Sequence, residues 1–287
     1  QSQLLDALAE TLVDPEVKDR SRQKDRKAVI ITRHSLGEDS VGKARLLVAE
    51  DNLVNQKVAM RILEKAGHRV DVANNGIEAV AALKNTSYDM IFMDIQMPEM
   101  DGYEATAQIR KMAPEYRELP VIAMTANAMK GDREKCIAAG MDDYISKPVK
   151  PKGLLEMVQR WAGKKVIRPV VGMDRYPSDP ELPVDLRRLR GFTGGDKEFE
   201  NEIIDLFLKD TSQHLVRLER AIHEGNSSDV EAAAHSIEGA AANMGAEKFR
   251  KLAQDLETKG NACTLYDVDK DFDLLKSAFS EIEHFFE

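Results

Sequence analysis

The sequence has no apolar run approaching the ~18 residues that a membrane-spanning helix needs. It has only two cysteines in 287 residues, Cys136 and Cys263, and they lack the spacing of a zinc site. We therefore expect neither a membrane span, a disulfide-stabilised fold nor a zinc module, and a reducing cytoplasm is the compartment that fits. The sequence also contains no P-loop, so we expect the chain not to use ATP itself.

Basic residues do not outnumber acidic ones in the sequence. Residues 184–287 hold 22 acids and 13 bases, whereas residues 1–183 hold 28 of each, so the net charge of -9 lies in the C-terminal part. Affinity for phosphate backbones comes largely from Lys and Arg. The charge therefore argues against nucleic acid as a partner and favours a protein surface or small ions. We expect no direct membrane contact.

Two domains are predicted from the length and from the change in periodicity along the chain. Short apolar runs alternate with helical patterns in the first, which is typical of parallel strands joined by helices. The second shows helical periodicity alone. The predicted segments are an amphipathic helix over 1–13, a linker over 14–44, an α/β domain over 45–163, a Pro-containing linker over 164–183 and a helical domain over 184–287.

Five strand-like runs, each followed by a helix, predict a parallel sheet with right-handed crossovers. The first predicted helix is well marked, since Val58, Ile62, Leu63 and Ala66 share a face and Gly67 can close it. Ligand sites in such sheets lie beyond the carboxyl ends of the strands. The five runs are Arg45–Ala49, Arg69–Ala73, Met90–Met93, Val121–Met124 and Tyr144–Ile145.

Polar residues follow four of the five runs. Glu50 and Asp51 follow the first, Asp94 the third, Thr125 the fourth and Lys147 the fifth. Converging carboxylates repel one another, and Mg²⁺, which prefers oxygen ligands, removes that cost. With a Lys and a hydroxyl nearby, the set can hold a phosphoryl group on a carboxylate, with Asp94 as the nucleophile.

Residues 45–163 resemble a response-regulator receiver domain through the stretches LLVAEDNLVNQ, IFMDIQMPEMDG, VIAMTAN and DDYISKPV. The resemblance implies a flavodoxin-like sheet of order 2-1-3-4-5. It also implies an acid pocket of Glu50 and Asp51, Asp94 as the phospho-acceptor, Thr125 and Lys147 as phosphoryl ligands, the Gln96 carbonyl as a further Mg²⁺ ligand, Tyr144 as the switch aromatic, and a cis Lys147–Pro148 bond.

A second class, the aspartate-nucleophile phosphatases, also places an Asp at a strand end. Those enzymes need another acid two residues further on, where this sequence has Gln96. That class is disfavoured.

Residues 184–287 resemble a histidine phosphotransfer (HPt) domain, through the stretch AHSIEGAAANMGA. The resemblance implies a four-helix bundle with His235 as the phospho-acceptor. His235 is expected on the edge or outer face of its helix, where small residues would let a bulky partner approach. The expected phosphotransfer surface consists of Glu231, Ala232, Glu238, Gly239 and Ala242.

One position departs from the HPt pattern. The family usually has Lys three residues after the histidine, and here that residue is Glu238. A carboxylate there should raise the pKa of His235 and repel a phosphorylated imidazole. We expect Glu238 to shift the phosphoryl equilibrium toward aspartate.

The first residues echo the last receiver helix, since QSQLLDALAETL aligns with PKGLLEMVQRWA at an offset of 150. Residues 1–13 are therefore interpreted as the last helix of a preceding receiver. The parent would be a hybrid sensor histidine kinase, which could be membrane-anchored.

The expected function is a step in a phosphorelay. Asp94 would accept a phosphoryl group from a histidine kinase domain, in cis or in trans, and exchange it with His235, which would pass it to a downstream response regulator. One alternative stays open, in which the receiver acts as a phosphate sink that gates its kinase while the HPt domain serves another receiver. A third hypothesis, a pure interaction module with a dead site, is disfavoured by the intact acceptor set.

Overall fold

The computed structural model describes residues 43–125, 130–162 and 182–287, with side chains omitted for 130–133. The predicted helix over 1–13 lies outside these residues, as do nearly all of the two predicted linkers. Residues 40–287 form one compact unit. Among the described residues, no helix combines the length and apolar character needed to cross a membrane.

Residues 43–162 form a five-stranded parallel sheet in the order β2-β1-β3-β4-β5, which confirms the predicted fold. The third, fourth and fifth strands extend one or two residues beyond the predicted runs. The strands are β1 (Arg45–Ala49), β2 (Arg69–Ala73), β3 (Met90–Asp94), β4 (Val121–Thr125) and β5 (Asp143–Ser146).

Five helices connect these strands or follow them. β3 and β4 are buried at every residue, as expected for central strands covered on both faces. A 3₁₀ turn, Pro114–Arg117, precedes β4. The helices are α1 (Leu53–Lys65), α2 (Gly76–Asn85), α3 (Gly102–Lys111), α4 (Lys130–Ala138) and α5 (Pro151–Trp161).

Residues 182–287 form a helical region. The sequence periodicity predicts helices over about 184–190, 196–224, 227–244, 247–260 and 268–286, and the observed bounds lie within a few residues of these. Four helices pack in sequence, with the last closing onto the first, and a short helix packs across two of them. Phe207, Phe249 and Phe279 meet in the bundle core with ring centroids 5.7–6.5 Å apart. The helices are α6 (Leu186–Thr193), α7 (Lys197–Glu224), α8 (Ser227–Met244), α9 (Glu247–Asn261) and α10 (Val268–Phe286).

Local sequence sets most of the helix ends. An Asn or Asp caps the N-terminus of six helices, accepting a hydrogen bond from a backbone N–H in the first turn. Gly194, Gly225 and Gly245 close α6, α7 and α8 in the left-handed conformation that glycine adopts most readily. These short-range signals explain why the predicted and observed bounds agree.

Candidate functional site

Three carboxylates meet at the C-terminal edge of the sheet. Glu50 and Asp51 follow β1, and Asp94 is the last residue of the neighbouring β3. A ligand oxygen from each lies within 4.8 Å of the others. Oxygen donors at this spacing fit a hard divalent cation. The adjacency of β1 and β3 therefore produces the cluster that the sequence predicted.

Lys147, which follows β5, reaches into the same cluster. Its Nζ lies 2.5 Å from Asp94 Oδ2 and 2.9 Å from Glu50 Oε2, and the three side chains are at most 6% exposed. Burial lowers the pKa of Lys147. The charges and hydrogen bonds of Asp94 and Glu50 raise it by a larger amount, so the net shift of the pKa is upward. Lys147 is thus a fixed cation beside the Asp94 carboxylate.

The two acids that precede α1 are held in an unfavourable environment for charge. Burial, followed by the charge of Asp94, raises the pKa of Glu50 to about 8. The same two causes raise the pKa of Asp51. Burial and the neighbouring carboxylate thus both oppose ionisation of these acids, and a divalent cation bound between them would favour their charged forms.

The other predicted receiver residues lie around this edge. Thr125 ends β4 and is buried, and its carbonyl accepts a hydrogen bond from the Lys147 backbone N–H at 2.7 Å. Gln96 is half-buried in the bend that follows β3. Tyr144 is half-buried in β5 and packs against the core on one face of the sheet. The Lys147–Pro148 bond is cis, as the resemblance implied.

Gly102 allows the start of α3 to approach the end of β3 closely. A Cβ on Gly102 would lie 2.1 Å from the carbonyl oxygen of Asp94. The start of α3 therefore packs directly on the backbone of Asp94, and only glycine fits there.

His235 lies on α8 and is only 7% exposed, unlike the exposed edge position that the sequence indicated. The acid cluster at the end of the sheet lies near it, since the charges of Lys147 and Asp94 act on the imidazole and the charge of His235 acts on Asp51. The sequence pattern identified the open side of the helix but could not show that this chain's own receiver covers it.

Glu257 on α9 holds the imidazole. Its Oε1 lies 2.9 Å from His235 Nδ1. Because a carboxylate only accepts hydrogen bonds, Nδ1 carries the proton and Nε2 is the nitrogen with a lone pair in the neutral ring. Burial is the largest influence on the pKa of His235 and lowers it, but the hydrogen bond to Glu257 together with the charges of Glu257 and Asp94 raises it by more, so the net shift is upward.

Two asparagines of α1 and its N-cap join the receiver site to α8. Asn55 Nδ2 donates to Glu50 Oε1 at 2.8 Å, and Asn55 Oδ1 accepts from Asn243 Nδ2 at 2.6 Å. Asn52, the N-cap of α1, donates to the Ser236 carbonyl at 3.1 Å. An acid of the receiver site is thus one side chain away from the bundle.

Gly239 explains how closely the two sites approach. A Cβ added there would lie 3.0 Å from Asn55 Nδ2, tighter than ordinary contact. Gly239, Asn243, Glu50 and Lys147 line a small cavity of about 10 Å³, which is room for about one water molecule. The contact between α8 and the acid cluster therefore leaves little space for solvent at this point.

Glu238 does not stand alone, because Arg250 on α9 lies 2.7 Å from it and only a tenth of the Glu238 side chain is exposed. The groups that raise the pKa of His235 are Glu257 and Asp94. The carboxylate at the position of the usual lysine is thus paired with a cation from the next helix. Of the other predicted surface residues, Ala232 is exposed, Glu231 is half-buried, and Gly239 and Ala242 are buried.

Sequence reasoning missed Glu257, Arg250 and Asn55. Asn55 stood inside a motif already quoted, but its contact with the bundle depends on domain docking. Glu257 and Arg250 lie seven residues apart, on one face of α9. That spacing shows that the two residues share a face of α9, but only the register of α9 against α8 shows which residues of α8 they contact.

Comparisons with known proteins agree with this architecture. Residues 46–159 match the response regulator receiver domain family and residues 202–285 match the Hpt domain family. The sensor histidine kinase GacS of Pseudomonas protegens is 30% identical over 223 residues, which is 75% of this chain and 24% of that protein. The probable histidine kinase 1 of Oryza sativa subsp. indica is 40% identical over 152 residues, which is 42% of this chain and 16% of that protein.

Among solved structures, the receiver domain of a Pseudomonas aeruginosa sensor histidine kinase, with a magnesium ion in its active-site cleft, is 45% identical. It covers 43% of this chain and 100% of that one, with a TM-score of 0.40. A Saccharomyces cerevisiae phosphotransfer protein crystallised with a receiver domain gives 31% identity, 44% and 92% coverage, and a TM-score of 0.40. The chain spans about a quarter or less of the length of the Pseudomonas protegens and Oryza sativa kinases.

Proposed function

Because the chain carries a response regulator receiver domain followed by an Hpt domain, we propose that it performs an internal step of a two-component phosphorelay. Asp94 accepts a phosphoryl group from a histidine kinase domain and passes it to His235 of the same chain. His235 then supplies a downstream response regulator. The observation that carries this proposal is the burial of His235 against the acid cluster of the receiver.

The transfer follows from the groups at the two sites. The Nε2 lone pair of neutral His235 attacks phosphorus, a P–N bond forms, the P–O bond to Asp94 breaks, and its electron pair returns to the carboxylate. The proton stays on Nδ1, where Glu257 stabilises the positive charge that develops on the ring. Lys147 and the Thr125 hydroxyl stabilise the phosphoryl oxygens.

The donor set fits Mg²⁺, held by Glu50, Asp51, Asp94 and the Gln96 carbonyl. When bound there, Mg²⁺ supplies positive charge that offsets the carboxylates and the phosphoryl oxygens. The burial of both Asp94 and His235 supports transfer to His235 over loss to water. Tyr144 stays a predicted switch residue.

Acetyl phosphate with Mg²⁺ tests the proposal on the whole chain, with Asp94→Ala and His235→Ala as the matched variants. We expect an acid-labile, base-stable phosphohistidine that disappears in both variants, while His235→Ala keeps an acyl phosphate on Asp94. An acyl phosphate alone in the unmodified chain would favour the phosphate-sink alternative. No label on Asp94 would contradict the receiver site itself.

A further inference from the structure

Charged side chains line the contact between the α/β domain and the helical domain. Basic residues stand four apart on α1, at Lys57, Arg61 and Lys65, and so share one face of that helix. This face packs along the start of α7.

Two ion pairs join the helices. Lys57 Nζ lies 2.7 Å from Glu202 Oε1, and an Arg61 Nη lies 2.7 Å from Asp196 Oδ2. The Arg61 guanidinium also stacks over the Phe199 ring at 4.9 Å, and Lys65 Nζ would lie 2.5 Å from a Cβ added to Gly194. The basic face of α1 is therefore aligned with the acidic start of α7.

Building on the proposed relay, we propose that Asp196 and Glu202 form an acidic recognition pair for receiver domains. The pair selects receivers that carry basic side chains at two positions, one turn apart, on the helix after their first strand. The chain's own receiver meets this requirement. A downstream receiver must meet it too, because it needs the same face of α8 to reach His235.

Competition follows from this shared surface. While the chain's own receiver is docked, His235 is 7% exposed and no second receiver can reach it. The four paired side chains are between 38% and 50% exposed, and exposed ion pairs are individually weak. Such a contact can open between one transfer and the next, and each pair is expected to change affinity by about two- to fivefold.

Transfer between two copies of the whole chain tests the proposal. The donor is His235→Ala with Asp196→Lys and Glu202→Lys, which frees a receiver with the natural basic face. The closed acceptor is Asp94→Ala. The open acceptor adds Lys57→Glu and Arg61→Glu, so that its own receiver is repelled. The recharged acceptor adds Asp196→Lys and Glu202→Lys to those changes, which restores opposite charges within that copy and repels the donor.

Phosphohistidine on each acceptor is measured after mixing with acetyl-phosphate-charged donor, and divided by the donor's acyl phosphate. We expect about tenfold faster labelling of the open than of the closed acceptor, and a return to the slow rate in the recharged one. A control acceptor, Asp94→Ala with Lys152→Glu and Arg220→Glu, carries the same change of net charge at exposed positions on α5 and α7, and should behave as the closed acceptor.

Equal labelling of the closed, open and recharged acceptors would overturn the recognition pair while leaving the relay intact. Fast labelling of the control acceptor would reduce the effect to net charge and also overturn it. If the donor gains acyl phosphate and no acceptor gains phosphohistidine, the proposed relay fails, and the recognition proposal fails with it.

Discussion

The two proposed phosphoryl acceptors of this chain lie in different electrostatic surroundings. Asp94 sits among two further acids at the end of a strand and depends on Lys147 for compensation. His235 sits on a helix with one carboxylate, Glu257, at its ring, and the neighbouring Glu238 is paired with Arg250. Aspartate needs added positive charge to hold a phosphoryl group, whereas the imidazole needs a fixed proton and an otherwise neutral setting. The two sites differ because the two chemistries do.

Removing the cation from the aspartate site should have the largest effect. Lys147→Met leaves Glu50 and Asp94 buried without their counter-charge, and we expect phosphoryl transfer to His235 to fall by about two orders of magnitude or more. The exposed Lys150→Met is the matched control. Near-normal transfer rates in Lys147→Met would show that the aspartate site does not depend on this cation.

Changing Glu257 should affect the histidine site by a smaller amount. Glu257→Ala removes the group that holds Nδ1, and we expect about a tenfold loss of transfer. Glu257→Gln keeps an acceptor for Nδ1 but removes the charge that raises the pKa of His235. Transfer requires the neutral ring and is lost as pH falls through that pKa. The acid limb of the pH–rate profile should therefore move to lower pH.

The exposed Asp255→Asn, on the same helix, removes a carboxylate away from the imidazole and should leave the profile in place. If Glu257→Gln also leaves the acid limb unmoved, Glu257 only supports the packing of α9.

Gly239→Ala should separate docking from bundle stability. Alanine favours a helix by up to about 1 kcal/mol over glycine, so the free energy of unfolding of the bundle should not fall. The added methyl meets Asn55, and transfer should drop several-fold. Combining it with Asn55→Ala removes the clash, and a double-mutant cycle measures the coupling. If the effects of the two substitutions on transfer are purely additive, the expected contact between residues 239 and 55 does not influence transfer.

The Glu238–Arg250 pair should give the smallest change. Arg250→Ala leaves the carboxylate uncompensated beside a phosphorylated imidazole, and Glu238→Lys places two cations there. We expect the Asp-to-His phosphoryl equilibrium to move toward Asp94 in the first and toward His235 in the second, each by about two- to fivefold. The phosphohistidine fraction at equilibrium measures both, and shifts in the same direction would refute the electrostatic explanation.

Much of the receiver could be predicted because its information is local. Strand runs, helix caps and the polar residue after each strand follow from short stretches of sequence, and parallel topology then brings Glu50, Asp94 and Lys147 to one edge. The helices of the bundle were equally accessible from periodicity and glycine C-caps. His235 was identified by its family motif and its small neighbours.

The tertiary structure alone decided what surrounds the histidine. The pairing of Glu257 with His235 and of Arg250 with Glu238 depends on the register of α9 against α8, which several alternative packings of amphipathic helices could satisfy. The burial of His235, the contact of Asn55 with Asn243 and the two ion pairs of α1 depend on docking between domains separated by about twenty residues of chain. Contacts of that kind leave no periodic trace in a single sequence, because each partner by itself is an ordinary surface residue.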